Sequence, residues 1–410
     1  MTRRVAVTGM AGVSPLGQSW EEIGRHLRDC RNAVQKMAEW EEFDGLNTTL
    51  AAPVNGFCLP PHYSRKVRRS MSRVSEMAVR ATEMALEDAG LIGDPILTSG
   101  RTGVSYGSST GGTDATKDFG QMFLSKTTAS VKANTYIQMM PHTTAFNISA
   151  YFSITGRLLP SSTACTSGSL AIGMAYEAIK FGMQDVMVAG GGEELCASEA
   201  TVFDTLFATS TKNDTPDATP RPFDRDRDGL VIGEGAGTLV LEDLERATVR
   251  GAPIYAELVG FGTNSDGRHA TNPTIETMAE SLRLALESAD LSPDAIAYVN
   301  AHGTATELGD IAETCATEKI FGEGKPISSL KSYMGHTLGA CGALEAWMTI
   351  QMMREGWVAP TLNLDEVDSR CGNLDYVRDG IRPLEADYVM TNSFAFGGVN
   401  TSLIFRNVDG

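Results

Sequence analysis

The chain has 410 residues, 42% hydrophobic and 21% charged, a balance that suits a folded protein of two or three units and excludes a disordered one. Its 34 Lys and Arg against 51 Asp and Glu leave a net charge of −17, which repels phosphate backbones and anionic lipid, so nucleic acid is excluded as a partner. No apolar run reaches the roughly 18 residues of a spanning helix, which argues against membrane insertion.

Met1-Thr2-Arg3-Arg4 ahead of an apolar stretch has the outline of a secretory signal, but Gly9, Gly12 and Pro15 interrupt it and residues 5–7 read better as a buried strand. A basic run, Arg65-Lys66-Val67-Arg68-Arg69 with Arg73, stands out on an acidic protein; by itself such a run reads as a solvated face. A helix is predicted over 76–86 and a strand over 102–106. Another strand, 185–189, meets Gly190-Gly191-Gly192. A division is expected near Arg250-Gly251, followed by a strand at 255–260, a helix at 277–289 and a strand at 297–300. Strands alternating with helices predict α/β layers around mainly parallel sheets.

Seven cysteines at irregular spacing form neither a disulfide framework nor metal-binding pairs, which points to a reducing cytoplasm. Cys165 differs from the other six. It lies in Ser161-Ser162-Thr163-Ala164-Cys165-Thr166-Ser167-Gly168, at the predicted start of a small-residue helix that runs to about Phe181. Free N–H groups and the positive dipole end there are expected to lower the thiol pKa and to hold an oxyanion. Two histidines occupy glycine-flanked loops, Asn300-Ala301-His302-Gly303-Thr304 and Met334-Gly335-His336-Thr337. Neutral imidazoles in such loops supply N–H donors to a developing enolate or oxyanion. His26, His62 and His142 read as structural, and His269 stays open. No H-E-x-x-H motif or Cys/His cluster marks a metal site.

Jointly these segments resemble the β-ketoacyl-acyl-carrier-protein synthases, the elongating condensing enzymes of the thiolase superfamily. The resemblance rests on Val7-Thr8-Gly9-Met10, Thr163-Ala164-Cys165, Arg221-Pro222-Phe223-Asp224, His302-Gly303-Thr304, residues 331–336, and Asn392-Ser393-Phe394-Ala395-Phe396-Gly397-Gly398. It implies an αβαβα sandwich of five layers made of two similar halves, 1–250 with the cysteine and 251–410 with both histidines. It further implies a decarboxylative Claisen condensation in fatty acid or related polyketide- or aryl-polyene-like lipid synthesis. Cys165 would take the acyl group, and His302 and His336 would bind the malonyl thioester oxygen. Lys331 would support His336, with Glu313 or Glu345 as partner and Asp310 as a further support. The N–H groups of Cys165 and Phe396 would form the oxyanion hole, and Phe396 would gate the acyl pocket. Thr304 and Thr306 would bind pantetheine; Phe394, Ser109 and Thr110 would meet substrate; Lys66, Arg68, Arg69 and Lys212 would dock an acidic acyl carrier protein. No cofactor is implied beyond the carrier's phosphopantetheine. A homodimer, or a heterodimer with a ketosynthase-like subunit, is implied, in which residues 136–144 complete the neighbour's site.

Three departures qualify the resemblance: Thr110 where relatives often carry an apolar residue or glycine, Glu307 where a proline is common, and Tyr333-Met334 before Gly335-His336. The hydroxyl at Thr110 argues against a plain saturated acyl substrate. Two alternatives carry other predictions. A non-catalytic chain-length factor would lack the nucleophile, and a hydrolase would use Ser109 of the G-x-S-x-G match at 107–111.

Overall fold

The computed structural model describes residues 2–269 and 271–408. Eleven strands form one twisted sheet. In chain order they are β1 (Val5–Val13), β2 (Thr102–Gly107), β3 (Leu158–Ser161), β4 (Val186–Glu193), β5 (Gly235–Asp243), β6 (Ala256–Ser265), β7 (Ile296–Asn300), β8 (Pro326–Ser328), β9 (Asp375–Tyr376), β10 (Tyr388–Phe394) and β11 (Val399–Arg406). Their order across the sheet is β9-β8-β7-β10-β11-β6-β1-β5-β4-β2-β3. Val5–Val7 of β1 pairs with 256–258 of β6, which joins the strands of 102–243 to those of 256–406.

The sheet is mixed, where mainly parallel pairing was expected. Neighbours β1–β5, β1–β6, β4–β5, β6–β11 and β10–β11 are antiparallel. The last pair is a hairpin closed by the four residues 395–398, and so short a link permits only antiparallel neighbours. Parallel pairing is confined to β2 with β3 and β4, and to β7 with β8 and β10, and β8 with β9.

Outer helices α1 (Arg73–Asp88) and α4 (Ile275–Ala289) pack on β1 and β6. The interior layer holds α2 (Ser167–Lys180) and α6 (Cys341–Glu355). These two touch at their N-terminal ends because each has a glycine at the contact, Gly168 and Gly342. A Cβ on Gly168 would stand 2.8 Å from the Gly339 carbonyl, and one on Gly342 would stand 2.8 Å from the Ser169 nitrogen. The small-residue pattern of both segments is thus a close-approach device, and it brings the Cys165 loop against the His336 loop.

Candidate active site

Cys165 is held by a turn between β3 and α2. Thr163 N–H donates to Ser167 Oγ at 2.9 Å, Ser167 Oγ donates to the Ala164 carbonyl at 2.7 Å, and Thr166 Oγ1 donates to the Thr163 carbonyl at 2.8 Å. Ala164 consequently sits at φ +51°, a left-handed conformation that is uncommon for alanine and held here by those hydrogen bonds. Cys165 is 5% exposed.

Burial pushes the Cys165 thiol up to about 11, against the downward pull of the Phe396 N–H, the Lys331 charge and its own N–H. This corrects the sequence expectation of a lowered pKa. Cys165 lies before Thr166, the residue that caps α2, so it stands outside the helix's first turn, in a dry setting that disfavours a thiolate. The two N–H groups directed at the sulfur are those expected to form the oxyanion hole.

His336 Nε2 lies 2.9 Å from Cys165 Sγ. Its other nitrogen, Nδ1, accepts from the Leu338 N–H at 3.3 Å, which assigns the ring proton to Nε2. The His302 ring stands edge-on to His336 with centroids 5.0 Å apart. Donor atoms of Cys165, His302 and His336 all lie within 4.8 Å of one another. Burial and the Lys331 charge hold both imidazoles well below their usual pKa, His302 being lowered further by His336. Two neutral rings beside one sulfur therefore offer hydrogen-bond donation rather than charge.

Lys331 is fully interior. Burial opposes its charge, but the Glu345 carboxylate, 2.5 Å from Nζ, together with Cys341 and Glu313, outweighs burial and raises its pKa. Glu345 is the ion-pair partner; Glu313 has another task. From helix α5 (Glu307–Phe321), Glu313 accepts the N–H groups of His302 and Gly303, each at 2.7 Å. Asp310, one turn earlier, accepts those of Thr304, Ala305 and Phe223 at 3.0, 3.1 and 2.7 Å. Two buried carboxylates thus fix the backbone of the His302 loop.

A cavity of about 560 Å³ reaches these groups from the surface, and Cys165, His302, His336, Thr304, Phe394 and Phe396 are among its walls. Thr306 also lines it, with its hydroxyl 2.9 Å from that of Thr304. Phe394 packs edge-on to His302 at 6.3 Å, and Phe396, 38% exposed, meets Phe203 edge-on at 6.1 Å. His269, left open by the sequence, lies in this wall; Glu307 does too, paired with Arg370 at 2.5 Å.

Ser109 and Thr110 do not line that cavity. Their N–H groups and hydroxyls turn to Glu193, which also accepts from Ser108 Oγ and Gly339 N–H. Ser109 therefore faces a carboxylate, not an imidazole, which removes the basis for a hydrolase. Arg68 pairs with Glu76 at 2.8 Å, and Lys212 lies 3.6 Å from Asp228. Lys66 and Arg69 are exposed and, like Arg68 and Lys212, lie outside the cavity wall. Sequence reasoning missed Glu193 and the Leu338 N–H. Glu193 is the last residue of the apolar, glycine-rich β4, and nothing in that run shows which remote segments supply its partners.

The sequence matches the family "Beta-ketoacyl synthase, N-terminal domain" over residues 2–247 and "Beta-ketoacyl synthase, C-terminal domain" over 255–365. It is 38% identical over 416 residues to the 3-oxoacyl-[acyl-carrier-protein] synthase 2 of Vibrio cholerae, covering 99% of both chains. A beta-ketoacyl synthase crystal structure from Burkholderia phymatum superposes with a TM-score of 0.98 at 59% identity, covering 99% of this chain and 100% of that one. A type II polyketide ketosynthase solved in complex with its acyl-carrier protein superposes at a TM-score of 0.89 and 29% identity, with both chains fully covered.

Proposed function

The chain belongs to the β-ketoacyl synthase family, and on that footing we propose that it condenses malonyl-acyl carrier protein with an acyl group held on Cys165. The observation carrying this reading is the convergence of one sulfur, two neutral imidazoles and two backbone N–H groups at the end of one cavity. Cys165 Sγ attacks the acyl-carrier thioester, its proton leaves with the pantetheine sulfur, and the N–H groups of Cys165 and Phe396 hold the carbonyl oxygen as it becomes anionic. Malonyl-carrier then loses CO2, and the electron pair of the broken C–C bond enters the thioester carbonyl. His302 and His336 stabilise that enolate oxygen, His336 through its Nε2–H. The enolate carbon attacks the acyl-Cys165 carbonyl, and Sγ departs and is reprotonated.

No metal or strong base takes part in these steps, since the leaving CO2 supplies the carbanion. Burial, helped by the Lys331 charge, keeps both histidines uncharged, so that His336 acts from Nε2–H. Thr304 and Thr306 offer hydroxyls to the pantetheine amides, and Phe394 and Phe396 shape the path to the sulfur. Lys66, Arg68, Arg69 and Lys212 receive the acidic carrier. The halves divide at 1–250 and 251–410. The open edge of β3, with Leu158 exposed, suits pairing with a second copy or a ketosynthase-like subunit, and residues 136–144, where Tyr136 is exposed, are its contribution to the neighbour. A reducing cytoplasm suits seven free cysteines, and no helix among the described residues is long and apolar enough to cross a membrane.

The test is intact mass spectrometry of the isolated chain with acyl-carrier thioesters, coupled to an assay of CO2 release from malonyl-carrier. Acylation at Cys165, its loss in Cys165→Ala, and condensation product are expected. A chain that never acylates and releases no CO2 would be the non-catalytic subunit instead.

A further inference from the structure

Phe207 stands where a phenylalanine is least expected. It is 88% exposed, and its backbone takes φ +54°, the left-handed conformation that glycine accepts and a bulky side chain resists. Phe223 and Leu338 share that conformation, but both are buried, so packing offsets their strain. Phe207 lacks that packing. It follows helix α3 (Ala197–Asp204). The Phe207 N–H donates to the Asp204 carbonyl at 2.9 Å and the Ala208 N–H to the Phe203 carbonyl at 3.0 Å, a helix ending whose left-handed position is ordinarily glycine. On the other side, the Ala208 carbonyl accepts the Leu230 N–H at 2.8 Å. The turn is thus held by its backbone, without the ring. Strain kept at such an exposed position points to a task outside the fold.

Phe207 also lines the cavity that ends at Cys165, and a residue that is both in that wall and in solvent stands at the mouth. Leu206 and Leu308, each half-exposed, share that place. The charged side chains of the wall are turned to partners within the chain. Arg227 pairs with Asp368 at 2.8 Å, Glu307 with Arg370, and Asp228 lies 3.6 Å from Lys212. Asp266 accepts from Asn400 at 2.8 Å, and Glu313 holds the His302 loop. The mouth therefore presents apolar surface outward, the mark of an interaction site.

We propose that Phe207, with Leu206 and Leu308, is an apolar anchor for the carrier protein, resting against an apolar side chain beside the point where the carrier's pantetheine arm is attached. This rests on the condensing activity proposed above. An arm whose thioester reaches Cys165 passes the mouth, so the carrier surface around its attachment lies on Phe207. Lys212, among the cations proposed to receive the carrier, joins the same rim through Asp228, which makes the face continuous. A net charge of −17 repels an acidic carrier at long range, whereas burying a phenyl ring supplies a short-range attraction that salt does not screen.

The experiment uses the full-length protein and an acyl carrier protein whose thioester acylates Cys165, in its native form and with the apolar residue beside the arm changed to Ser. The kcat/KM for acyl transfer is compared with that for the same acyl group on free pantetheine. Phe207→Gly is expected to lower the carrier's value about tenfold more than that of free pantetheine, the effect of one phenyl ring left unburied, at low and high salt alike. Its melting temperature is expected to hold or rise, because glycine relieves the left-handed strain. With the altered carrier the native protein is expected to be slower and Phe207→Gly to lose little more, since both sides of one contact are then gone. Should Phe207→Gly fail to fold, Phe207→Asn, which also accepts a left-handed backbone, is read in its place. Equal losses for carrier and free pantetheine, no loss at all, or losses that simply multiply with the altered carrier overturn the proposal. So does dissociation of an oligomer by Phe207→Gly with carrier transfer unchanged, which gives the face to a second copy of the chain. Failure of every carrier thioester to acylate Cys165 would instead strike the condensing activity itself.

Discussion

Cys165 carries its proton at neutral pH because the same burial that keeps water from the reaction also disfavours a thiolate. Its reactivity in the proposed reaction comes from where its charge goes: two N–H groups face the sulfur, and two neutral rings lie beside it. With a pKa of about 11, alkylation by iodoacetamide is expected to accelerate about tenfold per pH unit from neutrality upward, following the thiolate fraction. A rate that levels off near neutral pH would show an activated thiolate. Cys165→Ala is expected to remove acylation and condensation together, measured by protein mass and product formation. Lys331 and Glu345 carry a different prediction. Lys331→Met leaves a buried carboxylate alone and is expected to cost about 3–5 kcal/mol in urea unfolding, whereas Lys331→Met with Glu345→Met recovers most of it. Condensation is expected to fall in both, because burial alone then opposes protonation of the histidines.

At the scale of elements, α5 acts as a clamp. Glu313 and Asp310 stand one turn apart and bind five backbone N–H groups, four of them in the His302 loop. Glu313→Ala frees the N–H groups of His302 and Gly303 inside the protein, at about 1–3 kcal/mol of stability. It is expected to slow CO2 release from malonyl-carrier more than acylation of Cys165, since the proposed mechanism has His302 act on the malonyl oxygen; equal slowing of both would remove that assignment. Much of this level was legible beforehand. The periodic stretch 76–86 lies within α1 (Arg73–Asp88) and 277–289 within α4 (Ile275–Ala289), because their apolar faces pack on strands. Cys165, His302 and His336 could be picked out because glycine and small residues flank them, and close approach of α2 and α6 requires those residues. Glu193 could not be. A carboxylate's partners are hydroxyls and N–H groups from segments remote in sequence, which only the folded arrangement brings together. The strand directions were misjudged for a related reason: periodicity locates a strand but carries no record of its neighbour.

Over the whole molecule, charge and shape divide the work. A chain of net charge −17 repels an acidic carrier at long range, so docking depends on where its few unneutralised cations stand. In the segment leading into α1, Arg68 is engaged by Glu76 and the helix's first residue, Arg73, by Glu234, while Lys66 and Arg69 project to solvent without an ion pair among the described residues. Arg69 is anchored through its own carbonyl, which accepts from Asn134 at 2.8 Å, so its side chain can change without loosening the segment. Arg69→Glu is therefore expected to leave the melting temperature within about a degree of native, as surface changes do. It is expected to raise KM for carrier-bound acyl and malonyl groups several-fold, because it reverses a charge at the proposed docking face. The increase should shrink as salt is added, since exposed charges are screened over about 10 Å at 0.1 M. Small pantetheine thioesters carry no acidic surface, and their kcat/KM should be unchanged. A loss shared equally by carrier-bound and small substrates would place Arg69 in the reaction's geometry and not in docking.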